Sequence, residues 1–186
     1  MAGKSPHEAV ENYLRPLRRA LSCVTKAGLQ ITGRHPGPKH SLTLGGGPPV
    51  PLRGGLALTV EQRYEVVQAE GERGPWKVST LAYIYALDDA ESGHEVIAYH
   101  WHPDGRSSEA RPHLHLGAGA GVTRSALGDA HLPTNRVALE DVVRLAITDL
   151  GVEPLRVDWR DVLWESQIDF ETWGTWGQPA GEPPRQ

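Results

Sequence analysis

Apolar and polar positions alternate along 95–117 (EVIAYHWHPDGRSSEARPHLHLG). Ile97, Tyr99 and Trp101 interleave with Ala98, His100 and His102, and Leu114 and Leu116 interleave with His113 and His115. A period of two is that of a half-buried strand, and the turn signal Pro103-Asp104-Gly105 between the two halves predicts a β-hairpin. Tyr99 and Trp101 must share the core face with Leu114 and Leu116, so paired positions must sum to an odd number; a slip by one would reverse every side chain. A sum near 215 pairs His102 with His113 and His100 with His115, and places all four imidazoles on one patch.

Two more strands precede the hairpin. Thr59–Ala69 and Trp76–Leu87 are rich in β-branched and aromatic residues, with a Gly-containing turn at 70–74 and a second turn at 88–93. Four consecutive strands with short connections predict an antiparallel meander with one covered face. Two helices are available as cover. Over 7–27, Val10, Leu14, Leu17, Leu21 and Val24 keep helical spacing, with Ser5 as N-cap, Pro6 at the first helical position and Glu8 closing a capping box. Pro16 is expected to kink this helix or split it. Over 138–150, Leu139, Val142, Val143, Ala146, Ile147 and Leu150 form one apolar stripe that Gly151 ends. The segment 158–172 fits a helix capped by Asp158, although Gln167–Phe170 also alternates like a strand. The predicted fold is therefore α+β: a four- to five-stranded antiparallel meander with helices packed on one face and the histidine patch on the other.

Composition refines the domain picture. A chain of 186 residues suits one domain, 1–172. Seven Gly and five Pro in the stretch 33–55 predict a long loop within it, reaching 58, and the Gly/Pro-rich end, 173–186, reads as a flexible tail. Gly117–Gly121 lacks the helix-opening context of a dinucleotide fingerprint and reads as a flexible edge of the patch. The single cysteine, Cys23, excludes an internal disulfide and a Cys-cluster metal site; beside the apolar face of the first helix it reads as a buried, inert thiol. No stretch has the length and apolarity of a membrane span, so a cytoplasmic protein is expected. Net charge is −4, unevenly spread: up to residue 63 there are nine Lys/Arg against three Glu, and beyond it ten against twenty acidic residues. An anionic partner near the N-terminal third would account for that asymmetry, as would attraction between the two halves of the fold.

The chemistry gathers on His100, His102, His113 and His115; cleavage of RNA by histidine acid/base catalysis is the expected function, and two alternative readings stand beside it. Two imidazoles facing a phosphodiester can act as general base and general acid without any cofactor, with Arg111 neutralising charge on the phosphoryl oxygens. Four neutral imidazoles on one face also suit zinc or another transition metal at about 2.0–2.1 Å per nitrogen. In the third, the patch is a solvated sheet face or a non-catalytic surface for a protein partner. His131, just before Leu132-Pro133-Thr134, is close enough in the chain to join as a fifth group. His35 and His40 have no ligand spacing.

Tyr99-His100-Trp101, the Asp104-Gly105 turn, Pro112-His113-Leu114-His115-Leu116-Gly117 and the helix-opening Leu139-Glu140-Asp141-Val142 resemble, in that order, the TumE family of bacterial toxin-antitoxin toxins. The resemblance covers roughly 60–150 and leaves out the N-terminal helix, the Gly/Pro-rich loop and the Trp-rich C-terminal segment. It implies a growth-inhibiting, nuclease-like protein acting on RNA or nucleotides and silenced by a helix-turn-helix antitoxin. Oligomeric state and substrate are left open by the sequence.

Overall fold

The computed structural model describes residues 2–33, 39–68, 74–103, 109–121 and 130–173. The elements are β1 (Ala2–Gly3), α1 (Pro6–Leu21), β2 (Leu29–Thr32), β3 (Lys39–Leu44), β4 (Val50–Pro51), β5 (Leu56–Gln68), β6 (Trp76–Asp89), β7 (Glu95–Trp101), β8 (His113–Leu116), a 3₁₀ turn (Ala118–Ala120), β9 (Leu132–Pro133), α2 (Leu139–Thr148) and α3 (Trp159–Trp173). The fold is α+β, as the patterning predicts. All nine strands join one antiparallel sheet in the order β2-β3-β5-β6-β7-β8-β9, with β1 paired to β6 and β4 to β5.

The predicted meander is the centre of this sheet, β5 to β8, and the remaining strands extend it. Three of them correct the expectation of a loop over 33–58. Lys39–Leu44 forms β3 in the middle of the Gly/Pro-rich stretch, with strict alternation of buried positions and exposed or half-exposed ones, and β4 and the start of β5 follow. Glycine and proline density marks where the chain turns, but the six residues KHSLTL contain neither and alternate as a strand should. Positions 34–38 of that stretch, most of the turn expected at 70–74, the turn expected from Pro103 beyond its first residue, and the expected tail beyond 173 lie outside the described residues.

One face of the sheet carries the core. Leu42, Leu44, Leu58, Val60, Tyr64, Tyr83, Tyr85, Leu87 and Trp101 point to it and pack against Leu14, Leu17 and Leu21 of α1 and Leu139, Val142 and Val143 of α2. Each such side chain contributes roughly 1.5–3 kcal/mol on burial, so the sum over the face decides strand parity. A polar thread crosses this core: the Tyr13 hydroxyl of α1 donates to Gln62 Oε1, and Gln62 Nε2 donates to the Tyr85 hydroxyl. Ser5 caps α1 by accepting from Glu8 N at 3.2 Å, and the Glu8 carboxylate accepts from Lys4 N at 2.9 Å. The helix continues through Pro16 rather than splitting there. Residues 159–173 form a helix, which settles the ambiguity at Gln167–Phe170 in favour of helical spacing. The buried face of α3, Trp159, Val162 and Leu163, joins the same core. Cys23 is fully buried, and burial pushes its thiol pKa up, as an inert thiol requires. No helix among the described residues is long and apolar enough to cross a membrane.

Candidate metal centre

The other face of the sheet carries the histidines. In an antiparallel ladder, directly paired residues share a face, and β7 and β8 pair Ile97 with Leu116, Tyr99 with Leu114, Ala98 with His115 and His100 with His113. Every pair sums to 213. The odd parity demanded by burial is therefore observed, and the expected sum near 215 is off by one two-residue step. Hydrophobic burial cannot distinguish 213 from 215, because both leave the same residues inside. Close packing next to the hairpin chooses. The Gly117 amide donates to the Val96 carbonyl at 3.2 Å, and a Cβ on Gly117 would stand 2.1 Å from the Glu95 carbonyl oxygen. Gly119 meets the His94 carbonyl in the same way, at 2.7 Å. The glycine-rich turn expected to be a flexible edge is instead pressed against the start of β7.

Five imidazoles converge. His113 sits at the centre, with ring centroids 5.7 Å from His100, 5.3 Å from His102, 5.0 Å from His115 and 4.9 Å from His131. His100 and His115 are 4.9 Å apart, and His115 and His131 4.6 Å. All four predicted residues are thus brought together, on adjacent strands. His131 arrives from the residue just ahead of a third strand: β9 pairs Leu132 with Leu114 and Pro133 with His113, so His131 falls beside His115. A two-residue edge strand ending in proline carries no alternation to read, so only chain proximity pointed to His131. The segment after it is fastened by Thr134 N donating to the Pro112 carbonyl at 2.9 Å, by Val137 N donating to the Tyr83 hydroxyl at 3.0 Å, and by the Arg136 guanidinium lying 3.6 Å over the Trp101 ring.

The centre is drier than its rim. His113 is 1% exposed, whereas His131 is open to solvent. His113 Nδ1 lies 2.8 Å from the Arg111 carbonyl, which can only accept, so Nδ1 carries a proton and, in the neutral ring, Nε2 holds the lone pair. That Nε2, and Nδ1 of His102, are buried with no hydrogen-bond partner among the described residues. Burial, helped by the neighbouring imidazoles His115, His113, His102 and His131, drives the His100 pKa down to about 4, and burial, with His131, His113 and His102 beside it, lowers His115. His100 is therefore neutral at pH 7. The Arg111 guanidinium is exposed and forked onto Glu109 by two 2.9 Å bonds. Its main-chain carbonyl is the atom that touches the site. His40, by contrast, is buried on the core face and stacked on Tyr64 at 5.2 Å, and His35 lies outside the described residues.

Two triads, His100/His102/His113 and His113/His115/His131, each present one nitrogen per residue within 4.8 Å of the others and could hold a metal ion. Fold and site together define an α+β protein with an all-imidazole cluster, able to hold a metal ion, on the open face of its sheet. No family model, curated protein or solved structure matches the chain.

Proposed function

We propose that this protein binds one divalent transition-metal ion, zinc in the first instance, through His113 and two or three of His100, His102, His115 and His131, and uses it as a metal-dependent hydrolase. The observation that supports this most directly is the state of His113. A buried imidazole whose Nδ1–H is fixed by a backbone carbonyl and whose Nε2 has no partner among the described residues is the arrangement found in metal-ligating histidines, where the outer hydrogen bond sets the tautomer and aims the lone pair. An orphaned buried acceptor costs about 1–3 kcal/mol, and a metal ion would offset that cost. All-nitrogen donor sets suit zinc, copper and nickel rather than magnesium or calcium.

Stoichiometry follows from the same atom. Because Nδ1 of His113 is committed to Arg111, only Nε2 is left to ligate, and the two triads share it. They form one site with alternative partners, not two independent sites. The solvent-exposed His131 side leaves room for a substrate, and a bound ion would supply Lewis acidity there.

Elemental analysis and titration with zinc after chelator treatment test the proposal. One ion per chain is expected, with a rise in Tm on binding. His113→Ala should weaken binding by more than the 10- to 100-fold typical of losing an outer partner, and His131→Ala should weaken it less. No bound metal and no Tm shift would sink the reading. If the metal-stripped protein instead cleaves RNA, and His100→Ala and His113→Ala abolish the cleavage, the metal-free acid/base chemistry expected from the sequence is supported in its place.

A further inference from the structure

The histidine face of the sheet extends well beyond the histidines, and pairing defines its rows. The 184 register of β6 with β7 sets Ala82 beside His102; Ala82 pairs with Arg63, Arg63 with Ser41, and Ser41 with Thr32. The neighbouring row runs from His113 and His100 through Ile84 and Glu61 to Thr43 and Gln30. Two cavities lie along these rows. One of about 150 Å³ has His102 at one end and Arg63, Glu61, Ser41 and Thr43 in its walls. The next, about 300 Å³, is lined by Arg63, Lys39, Ser41 and Thr32 and has no carboxylate in its wall. Arg63 and Ser41 are common to both, so the depressions form one path across the sheet.

Between the histidines and Arg63 the floor is apolar and low. Ala82 is 5% exposed and provides only a methyl group, while Ile84 is half-buried. At Arg63 the ladder is interrupted: Arg63 pairs with Ala82 but Tyr64 with Thr80, so Leu81 is an extra residue. Such bulges re-aim neighbouring side chains and occur next to functional sites. Arg63 and Lys39 are both exposed, and among the described residues neither cation is held by a carboxylate, unlike Arg18, Arg19, Arg111, Arg144 and Arg156.

We propose that Arg63, Lys39 and Ser41 form an anion subsite for a phosphate group of the substrate, which lies across the open sheet face with its reacting bond at the histidine cluster. This rests on the metal reading for the reacting end only. An arginine fork, an ammonium and a hydroxyl provide the donors a phosphate takes, and the fork gives two parallel bonds where lysine gives a point charge. The row fixes the reach: His102 and Arg63 are two strand spacings apart, roughly 10 Å. Ala82 and Ile84 between them leave an apolar bed for the carbon skeleton joining the two ends. Glu61 lines the smaller cavity and not the larger, so it faces the linking part of the substrate and not its phosphate.

Calorimetric titration of the zinc-loaded and the metal-stripped protein with inorganic phosphate, adenosine 5′-monophosphate, adenosine and hexauridylate tests this. Both proteins should bind phosphate and the monophosphate, and adenosine should bind at least tenfold more weakly than its monophosphate. Arg63→Gln and Lys39→Gln should each weaken phosphate binding tenfold or more while zinc affinity stays within twofold of the parent, and Arg63→Lys should recover only part of the loss. The monophosphate binding as well as hexauridylate identifies a small phosphate ester, and hexauridylate binding more than tenfold tighter identifies a nucleic-acid backbone; either supports the subsite. Parent protein that ignores phosphate, or Arg63→Gln and Lys39→Gln proteins that bind it like the parent, overturns it. Phosphate binding that requires zinc and ignores Arg63 overturns the subsite while leaving the metal centre standing. If the parent takes up no zinc, the metal reading fails, and titration of the metal-stripped protein still decides the subsite.

Discussion

At the scale of single residues, the protein concentrates its unusual chemistry in side chains whose backbone neighbours are ordinary. His113 is a strand residue like any other, yet one carbonyl two residues earlier fixes its tautomer. His100 is different in kind. Its pKa in the fold is about 4, below the usual value of 6.5, so the folded state favours the neutral form. A depressed histidine pKa means that stability is fully present above about pH 6.5 and is lost as pH falls from there through about 4, since the unfolded chain takes up the proton first. Thermal unfolding of the metal-stripped protein between pH 7 and pH 4 should show that decline, and His100→Ala should make it shallower. An equal slope in the two proteins would contradict the burial-driven shift. Gly117 has a purely steric role. Gly117→Ala puts a methyl group against the Glu95 carbonyl and should cost about 1–3 kcal/mol in denaturant unfolding, the usual range for overpacking.

At the scale of elements, the junction of the three helices holds a charge-capable group where none is expected. Glu140, in the first turn of α2, reads from sequence as a residue that complements the helix dipole. In the fold it is completely buried, and burial raises its pKa. Ser166 Oγ of α3 stands 2.8 Å from the Pro16 carbonyl of α1 and 2.7 Å from Glu140 Oε1. The Ser166 hydroxyl donates to Glu140 Oε1, which favours the carboxylate, but burial is the larger effect and favours the neutral carboxyl. Because the folded pKa lies above the unfolded value, this contribution is complete below about pH 4.5 and is lost as pH rises through the folded pKa. Glu140→Gln keeps the shape and a donor while removing the titration. It should raise Tm at pH 8 by roughly 2–4 °C, the equivalent of about 1 kcal/mol at this chain length, with little change at pH 4. A lower Tm at both pH values would show that the site needs the acid itself.

At the scale of the whole molecule, a two-faced sheet separates stability from chemistry. Helices and a large apolar cluster hold one face, and the other is left to five histidines and a row of polar side chains. The sequence by itself determined a good part of this: the α+β class, the central meander, the two cover helices and the common face of His100, His102, His113 and His115. Alternation and helical periodicity are local signals, and burial of Tyr99, Trp101, Leu114 and Leu116 made the wrong parity too costly. What local signals could not decide was left to tertiary contact. The step between pairing sums of 213 and 215 is neutral in burial and was chosen by the approach of Gly117 to Glu95. β3 was hidden by the glycines and prolines flanking it, and β9 was too short to show a period. His131 joined the cluster because β9 lies against β8. The placement of Arg63 two strands from the histidine cluster exists only once β5, β6 and β7 pair. Periodicity tells which way a side chain points; the register of strands distant in the chain tells what it meets there.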